Sequence, residues 1–453
     1  MVLKRKIYQK LLKWKNESNG NSVLLISGAR RVGKSFLCEQ FGKNEYKSMI
    51  IIDFGNIPKE IKDIFENDST DLDIFFAKLS AFYRIRLFER GSGRAELSLL
   101  VFDEIQMFPK ARQLLKYLVA DGRFDYIETG SLLSLKQNVQ DIVIPSEEEE
   151  LEMFPMDFEE FLWALEDEAT VPFLRQCFEQ KKPLGMALHR KVMNDFRKYL
   201  LVGGMPQAVI EYITHKDFER ADKIKKQILS LYRNDIAKYA GRYKSKVTAI
   251  FDALPGQLSK KEKKYKLSAI SKDARLRSYE DAFMWLSDGM IANLCFNATD
   301  PNVGLAMSSD HTTQKLYMAD TGLLVTHAFR DNNYSDNELY HAILLDKLNV
   351  NEGMLMENIA AQMLKSNGHR LFFYSRVDSN NRKNIMEIDF LIVHKNKISP
   401  VEVKSSAYRT HSSLDKFRKK FSSKLTDAYI LYTKDIMVKD SVIHLPIYMT
   451  MFL

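Results

Sequence analysis

The segment Gly28-Ala29-Arg30-Arg31-Val32-Gly33-Lys34-Ser35 decides the fold of the N-terminal part of the chain. It follows the apolar run Val23–Ser27 and precedes Ser35–Phe41, a run that suits a helix. Gly28 and Gly33 carry no side-chain bulk, so the backbone between them can turn successive N–H groups toward one point. The positive end of the following helix would face the same point, which predicts a binding site for the phosphates of a nucleotide.

Two side chains of this segment are predicted to act on ATP and its metal ion. Lys34 would reach the β- and γ-phosphates, and the Ser35 hydroxyl would ligate Mg²⁺. The residues from Gly28 to Ser35, together with Phe36, are therefore predicted to hold the cofactor ATP, with Mg²⁺ beside it. Lys34 is also counted among the predicted catalytic residues.

A second acidic element should end a neighbouring strand, and Asp103-Glu104 after the apolar run Leu97–Phe102 supplies it. Asp103 would hold Mg²⁺ directly or through water, and Glu104 would polarise the attacking water as general base. Thr129 and Ser131 lie at the end of the next strand. They could contact the γ-phosphate or the lytic water, or they could simply be small residues that end the strand. The arginine finger stays open between Arg30, Arg31, Arg112, Arg123 and an arginine of a neighbouring subunit.

Apolar runs of strand length alternate with runs of helical periodicity through residues 20–130. This alternation predicts an α/β fold in which a mostly parallel sheet is covered on both faces. The acidic run Glu147–Glu150 is predicted to be a solvated loop or a helix start. The predicted strands are Val23–Ser27, Met49–Phe54, Leu97–Phe102 and Phe124–Thr129, and the predicted helices include Leu72–Glu89 and Arg112–Ala120.

The 453 residues exceed what one core usually holds, so more than one domain is expected. We place a nucleotide-binding α/β domain at 1–165, a basic and mainly helical middle domain at 166–335, and a smaller α/β domain at 336–453. The three cysteines lie far apart and no histidine pair has zinc-ligand spacing, so we expect neither disulfides nor zinc. Without a signal peptide or an apolar run of membrane-spanning length, a cytoplasmic protein with no membrane contact is expected.

The net charge of +8 is concentrated in residues 216–280, which contain 18 basic and 8 acidic residues. A local surplus of this size is typical of a nucleic-acid footprint, and DNA is the expected partner. A solvated helical surface would have the same composition, so both interpretations stay open. Five lysines could contact phosphates and Tyr265 could stack on a base, unless this is only a solvated loop. The five lysines are Lys260, Lys261, Lys263, Lys264 and Lys266.

A second set of charged residues lies near the C-terminus, where Glu387-Ile388-Asp389 is followed by Val401-Glu402-Val403-Lys404. If a two-residue turn at Lys395-Asn396 joins two strands, residue 394 faces 397 and Asp389 falls opposite Glu402. Glu402 and Lys404 then share one face of the strand, because side chains alternate. Two carboxylates at this distance repel unless a cation lies between them, so a second Mg²⁺ or a Mn²⁺ ion is expected there.

Further motifs carry a resemblance to a known family. The segments 102–106, 129–133, 154–162, 203–209 and 316–324, together with the glycine segment, resemble the bacterial and archaeal AAA-type P-loop ATPases that carry a C-terminal domain of unknown function. The resemblance spans nearly the whole chain. It implies an AAA-like ATPase domain, a helical and possibly winged-helix middle, and a C-terminal domain with a nuclease-like fold, and it suggests a homo-oligomer. It does not imply a known substrate.

The C-terminal charges resemble the PD-(D/E)xK nuclease motif, carried over as Asp389, Glu402 and Lys404. The resemblance implies that Asp389 and Glu402 ligate a metal ion and that Lys404 acts on the water that attacks a phosphodiester. Glu357 occupies the place of that family's helical acid, or is a surface residue of its helix. Glu387 could simply pair with Lys404.

Three functions follow from these patterns. The first is an ATPase motor or switch that acts on DNA and carries a nuclease-like C-terminal domain. The second is a nucleotide-gated switch or scaffold whose C-terminal domain binds DNA or protein without cleaving. The third is an ATPase whose C-terminal domain is purely an interaction module.

Overall fold

The structure, a computed structural model, describes residues 2–91, 96–130, 147–260, 264–270, 272, 274–329, 352–377, 385–405 and 411–453. The chain divides into two compact units, residues 4–154 and residues 155–453, the latter with the first three residues. The predicted boundaries of three domains stay a prediction. Each unit is described by itself below.

The first unit is an α/β domain whose sheet has five strands in the order β2-β3-β4-β1-β5, all parallel. The predicted α/β class is therefore confirmed. The strands are β1 Val23–Gly28, β2 Ser48–Asp53, β3 Ser98–Asp103, β4 Asp125–Gly130 and β5 Glu148–Met153. The helices are α1 Ile7–Ser18, α2 Lys34–Glu45, α3 Lys59–Asn67, α4 Leu72–Tyr83 and α5 Pro109–Asp121.

Apolar residues cover both faces of this sheet, as a parallel sheet requires. Leu24 and Ile26 of β1 pack with α1 and α2 on one face, whereas Val23 and Leu25 pack in the cluster of α3, α4 and α5 on the other. Every residue of β1 is buried. Each fully buried aliphatic or aromatic side chain stabilises the fold by about 1.5–3 kcal/mol, so β1 is anchored from both sides.

The acidic run Glu147–Glu150 was expected to be a loop or a helix start, and that prediction is wrong. Glu148–Met153 forms β5, which pairs in parallel with β1 from Val23↔Glu148 to Gly28↔Met153. Its carboxylates have partners on the neighbouring elements: Glu148 lies 2.7 Å from Arg112, and the Ser27 hydroxyl donates to Glu150 at 2.7 Å. The strand forms the edge of the sheet, where charged side chains oppose pairing with another chain.

The second unit contains ten helices and nine strands among the described residues. Its helices are α6 Phe158–Ala164, α7 Thr170–Gln180, α8 Met186–Val202, α9 Pro206–His215, α10 Phe218–Tyr239, α11 Lys244–Ser259, α12 Glu280–Asp288, α13 Thr321–Ala328, α14 Glu352–Ser366 and α15 Ser412–Lys420. Its strands are β6 Ala292–Ala298, β7 Ser309–Met318, β8 Phe372–Val377, β9 Ile385–Ile388, β10 Phe390–His394, β11 Lys397–Val403, β12 Ala428–Tyr432, β13 Met437–Lys439 and β14 Val442–Pro446.

Two sheets organise this unit. One has the order β7-β6-β8-β9 and the other the order β10-β11-β12-β14-β13. The hairpin of β10 and β11 pairs His394 with Lys397 and Phe390 with Val401, which confirms the predicted register. The winged-helix character of the middle segment stays a prediction.

The glycine-containing segments 203–209 and 316–324 contact each other in the core of this unit. The backbone N–H of Gly204 donates to Asp320 Oδ2 at 2.6 Å, and Asp320 Oδ1 accepts from Leu323 N at 2.8 Å. A Cβ placed on Gly204 would lie 2.1 Å from the carbonyl oxygen of Met156, and one on Gly322 would lie 2.5 Å from Gly203. The segments 203–209 and 316–324 therefore serve close backbone packing.

The substitution Gly204→Ala should lower the free energy of unfolding by about 1–3 kcal/mol, because the backbone must shift to admit the methyl group. Gly256→Ala is the matched control: it lies in α11 with nothing within 4 Å of its Cβ position. That change should stabilise the helix by about 0.5–1 kcal/mol. Urea unfolding followed by circular dichroism measures both, and a stability loss no larger for Gly204→Ala than for Gly256→Ala would contradict the packing argument.

Candidate active site

The glycine segment links the end of β1 to the start of α2. Gly33 adopts a φ of 104° and Arg31 a φ of 69°, so the backbone passes twice through the left-handed region before the helix begins. A Cβ on Gly28 would lie 2.5 Å from the carbonyl oxygen of Met153, so only glycine fits beside β5. The loop is thereby held against the carboxyl end of the sheet, with the N-terminus of α2 behind it.

Lys34 lies within this loop rather than in solvent. Its ammonium donates to the carbonyl oxygens of Gly28 at 2.9 Å and Ala29 at 3.2 Å, and its side chain is buried. Burial lowers the pKa of Lys34, and the nearby carboxylates of Glu104 and Asp103 act in the opposite direction. An ammonium held by the carbonyls of the loop fits an anionic ligand, because phosphate oxygens can replace those carbonyls as its partners.

Ser35, Asp103 and Thr129 form one hydrogen-bonded group at the ends of α2, β3 and β4. The Ser35 hydroxyl donates to Asp103 Oδ1 at 3.0 Å, and the Thr129 hydroxyl donates to the same oxygen. The backbone N–H of Glu104 donates to Thr129 Oγ1 at 3.4 Å. Parallel pairing of Phe102 with Glu128 puts Asp103 beside Thr129. The structure therefore brings together Lys34, Ser35, Asp103 and Thr129.

Glu104 follows in a strained position, with a φ of 52°. Its carboxylate accepts a hydrogen bond from the side-chain amide of Gln106, which fixes its orientation. Gln106 belongs to the segment 102–106 that carries the family resemblance, but no role was predicted for it from the sequence. Asp53 at the end of β2 pairs in register with Asp103 and accepts from Gly55 N at 2.8 Å, which adds a third acid to this edge of the sheet.

The other predicted nucleotide-site residues differ in exposure. Arg30, Arg31 and Phe36 are exposed on the loop and on the first turn of α2. Arg112 is buried and bridges Glu128 and Glu148, and Arg123 pairs with Asp73, Asp121 and Glu89. Four arginines of this unit were candidates for the arginine finger. Two of them, Arg112 and Arg123, are therefore engaged in ion pairs. Ser131 lies outside the described residues.

The C-terminal carboxylates gather around a residue that sequence reasoning missed. The ammonium of Lys315, on β7, lies 2.9 Å from Glu357 Oε1, 3.3 Å from Glu387 Oε1 and 3.9 Å from Asp389 Oδ1. The Tyr317 hydroxyl also donates to Glu357 Oε1, at 2.5 Å. Glu357 is therefore part of the cluster rather than a surface residue, and Glu387 pairs with Lys315.

Asp389 and Glu402 occupy neighbouring positions at the end of the β10–β11 hairpin. Asp389 Oδ2 accepts from the backbone N–H of Val403 at 2.9 Å. Burial raises the pKa of Asp389 to about 7, with Glu357 adding to the rise and Lys315 opposing it. Glu402 is buried and lies 3.3 Å from the Lys404 ammonium; burial raises the pKa of Glu402, and Lys404 lowers it.

A metal ion was predicted at Asp389 and Glu402, and that assignment stays a prediction. Within the described ranges, no three histidine, cysteine, aspartate or glutamate side chains converge closely enough to hold a metal ion. Asp389 instead directs one oxygen to a backbone N–H and the other toward the Lys315 ammonium. Lys315 therefore supplies Asp389 with a cation from the chain itself.

The structure contradicts the role predicted for Tyr265, which lies in the basic segment 216–280. That ring is buried, meets Phe283 edge-on at 5.0 Å, and its hydroxyl donates to Ile250 O at 3.1 Å. The prediction that Tyr265 stacks on a base is therefore wrong, because the ring completes the core beside α11. Lys260, Lys264 and Lys266 are exposed, whereas Lys261 and Lys263 lie outside the described residues.

The sequence did not indicate that Lys315 belongs to the cluster of C-terminal carboxylates. Lys315 lies 42 residues before Glu357 and on a strand of a different sheet from Glu402. The one indication is that side chains alternate between the two faces of β7. Lys315 and Tyr317 are two residues apart and therefore share one face of that strand. The identity of their partners depends on how β7 packs against α14.

Comparisons with known proteins divide the chain into three parts. Residues 20–162 match the family model described as AAA domain, so this part of the chain is similar to AAA-type ATPases. Residues 193–334 and 352–449 match two domains of unknown function, DUF8612 and DUF4143 respectively. A search of curated proteins finds no relative.

Several solved structures share a distant likeness with the chain. A Walker-type ATPase of Pyrococcus abyssi is 17% identical, with 72% of this chain and 96% of that chain covered and a TM-score of 0.41. The ORC1 protein of Aeropyrum pernix, solved with DNA, is 12% identical, with coverage of 73% and 93% and a TM-score of 0.28. DnaA of Aquifex aeolicus, bound to AMPPCP, is 13% identical, with coverage of 63% and 90% and a TM-score of 0.29. With TM-scores this low, these likenesses carry no argument.

Among the residues that the structure describes, every helix is too short or too polar to cross a membrane.

The substitution Thr129→Val should slow ATP hydrolysis at least about tenfold, because the loss of a single buried hydrogen bond worth about 1.4 kcal/mol already has that effect. Valine keeps the shape of threonine but cannot donate to Asp103 or accept from Glu104 N. Steady-state kinetics should show a lower kcat with an almost unchanged KM for ATP. Thr129→Ser restores the hydroxyl and should recover the rate; a serine variant as slow as the valine variant would rule out this role.

Proposed function

We propose that this protein binds and hydrolyses ATP with Mg²⁺ and couples the cycle to DNA binding by its basic middle segment, without cleaving the DNA. The observation that carries the first part is the convergence of Ser35, Asp103 and Thr129 beside the buried Lys34. A mere glycine turn would need neither a buried ammonium nor a carboxylate that accepts two hydroxyl donors.

Each residue of the site then has one task. Lys34 exchanges the loop carbonyls for phosphate oxygens, and the N–H groups at the start of α2 bind the same phosphates. The Ser35 hydroxyl and, directly or through water, Asp103 would hold Mg²⁺, which would neutralise phosphate charge. Glu104, oriented by Gln106, accepts the proton of the attacking water. Thr129 aligns Asp103 with the backbone that carries Glu104.

The ATPase proposal is tested by turnover of the purified chain with Mg²⁺. Lys34→Ala should abolish measurable hydrolysis, and Glu104→Gln should reduce it by about 10²–10⁴-fold while leaving ATP binding intact, because only the proton acceptor is lost. Lys43→Ala is a matched control on α2, since that lysine is exposed and pairs only with Glu39 among the described acids. If the parent hydrolyses no ATP, or Lys34→Ala turns over as fast as Lys43→Ala, the proposal fails.

The DNA-binding part rests on how the cations of the basic segment are distributed. Cations of α10 have acidic neighbours: Arg220 lies 3.7 Å from Asp217 and Lys226 lies 3.0 Å from Asp222. A second group is exposed and forms no ion pair with the acids that the structure describes. This group comprises Lys244, Lys260, Lys264, Lys272, Arg275 and Arg277.

Members of the second group lie near both ends of α11. Lys246 donates to Ser278 O at 2.5 Å near the start of α11, and Gln257 exchanges hydrogen bonds with the backbone of Lys266 near its end. Arg277 and Lys264, which are close to these residues in the chain, are therefore placed roughly 16 Å apart, at about 1.5 Å per helical residue. Exposed cations spread over this length suit the repeated charges of a phosphate backbone, whereas the paired cations of α10 offer less net charge.

Charge removal tests this surface. The pair Lys264→Gln and Arg277→Gln should weaken DNA binding and reduce the slope of log K against log salt by up to about 0.9 per lost phosphate contact. The pair Arg220→Gln and Lys226→Gln removes the same net charge from α10 and should have a smaller effect. Equal losses for both pairs would show that only overall charge matters, and no loss for either would remove the proposed surface.

Stimulation of ATP hydrolysis by DNA would demonstrate the coupling. Double-stranded, single-stranded and branched DNA should be compared, because the basic surface does not distinguish among them. Failure of every DNA to change the rate would leave an ATPase whose middle and C-terminal parts bind protein, which is the alternative expected of a scaffold.

Phosphodiester cleavage at Asp389, Glu402 and Lys404 is the second candidate, favoured by the hairpin register that sets Asp389 beside Glu402. We expect no cleavage of plasmid or linear DNA with Mg²⁺ or Mn²⁺, because the Lys315 ammonium already lies near Asp389, Glu357 and Glu387. Cleavage that disappears in Glu402→Gln would establish the nuclease instead. Cleavage that persists in that variant would indicate a contaminant.

A further inference from the structure

Arg5 lies two residues before α1, and its side chain is buried against the glycine segment. The guanidinium donates from Nη1 to the carbonyl oxygen of Val32 at 3.1 Å and from Nη2 to the carbonyl oxygen of Phe154 at 2.7 Å. Val32 belongs to the glycine segment, and Phe154 directly follows β5. Arg5 therefore connects the glycine segment to the end of the sheet that carries the nucleotide site.

We propose that Arg5 is a positioning residue for the nucleotide. It fixes the peptide between Val32 and Gly33 so that the N–H of Gly33 is presented to the phosphates. This inference rests on the proposed ATP binding, because the phosphates are the ligand for which the N–H is positioned. Arg5 acts through the backbone of the loop rather than on the reacting atoms.

The geometry of the peptide bond is the first argument. A trans peptide is planar, so its C=O and N–H groups point in opposite directions. All peptide bonds among the described residues are trans. The hydrogen bond from Arg5 to the Val32 carbonyl therefore turns the Gly33 N–H away from the guanidinium. Because a guanidinium holds its donors in a rigid fork, its second bond, to Phe154, fixes the direction of the first.

Strain in the loop is the second argument. Arg31 has a φ of 69° and Gly33 a φ of 104°, one on each side of Val32. A residue other than glycine keeps a left-handed conformation only where the surrounding contacts fix it. The Val32 side chain is buried in the cluster that contains Ile7 and Leu11 of α1. With its carbonyl bound to Arg5 as well, Val32 is fixed on both sides of its backbone.

The third argument is that Arg5 and Lys34 hold different carbonyls of the loop. The Lys34 ammonium donates to Gly28 O and Ala29 O, and these bonds are exchanged for phosphate oxygens in the proposed cycle. The bond from Arg5 to Val32 involves a different carbonyl, so it can be kept in the empty and in the occupied state. Arg5 would thus preorganise the end of the loop, which lowers the ordering cost of ATP binding.

The substitution Arg5→Gln should raise the KM for ATP about tenfold, the effect expected from the loss of a buried hydrogen bond. It should leave kcat within about twofold, because the contact acts equally before and during the chemical step. Steady-state kinetics measure both constants, and calorimetry with a non-hydrolysable ATP analogue and Mg²⁺ measures the affinity. Arg5→Lys should keep most of the loss, since an ammonium lacks the rigid fork that reaches two carbonyls.

Arg90→Gln is the matched control. Arg90 also donates to a backbone carbonyl, that of Gly122 at 3.1 Å, and it pairs with Asp125. Asp125 begins β4, whose opposite end carries Thr129. Arg90→Gln should therefore lower the stability of the same domain without changing the KM for ATP.

Hydrogen exchange of the nucleotide-free chain separates this proposal from ATP binding itself. The Val32 N–H donates to Ala29 O at 3.4 Å. The amides of residues 29–34 should exchange about tenfold faster in Arg5→Gln than in the parent, because the loop opens more often. Faster exchange in a chain that binds no ATP would support the contact made by Arg5 and would refute the proposed function alone.

The role of Arg5 is overturned by a folded Arg5→Gln chain that keeps either the parent's KM for ATP or the parent's loop exchange. An equal rise of KM in Arg90→Gln would also overturn it, because any loss of stability would then have the same effect. If circular dichroism shows that Arg5→Gln does not fold, Arg5→Lys decides. A raised KM in that variant supports the role of the fork, and a KM equal to the parent's refutes it.

Discussion

The nucleotide site depends on the position of β1, a buried strand hydrogen-bonded in parallel to β4 on one side and to β5 on the other. Because β1 is held on both edges and both faces, its carboxyl end has a fixed place. The glycine segment leaves from that end, and Gly28 must stay without a side chain because the carbonyl of Met153 lies against it. The same sheet carries Asp103 and Thr129 on adjacent strands, so the parallel register brings the acid to the loop.

Buried ammonium groups in the two units have opposite consequences for chemistry. At the nucleotide site the buried ammonium of Lys34 has only backbone carbonyls as hydrogen-bond partners within the loop, and an anionic ligand can take their place. At the C-terminal cluster the buried ammonium of Lys315 is held by carboxylates, which are much stronger partners. A buried ion pair whose partners are charged resists exchange, since breaking it leaves an uncompensated charge. The first arrangement is suited to ligand binding and the second to holding strands together.

Side-chain amides of α14 also form a buried hydrogen-bond network with residues that precede this helix in the second unit. Asn358 hydrogen-bonds the backbone of Met318 and the hydroxyl of Thr321, and Gln362 accepts from Thr321 and donates to the Tyr199 hydroxyl. All of these groups are satisfied by one another, which is the condition under which buried polar groups stabilise rather than weaken a core. The network and Lys315 explain why residues 155–453 form one compact unit although two family models cover them.

The features that depend on local pattern could be predicted from the amino-acid sequence. These are the strand–loop–helix around Lys34, the acids after β3, the α/β class and the register of the β10–β11 hairpin, because glycine spacing, apolar runs and turn length fix them. Prediction failed where tertiary contacts override local pattern: Glu148–Met153 is a strand because β1 offers it an edge, and Tyr265 is buried because α11 and α12 leave a place for its ring. That Lys315 is the cation of the C-terminal cluster could be seen only in the folded protein. The attraction between charges acts through space and produces no periodic pattern in the sequence.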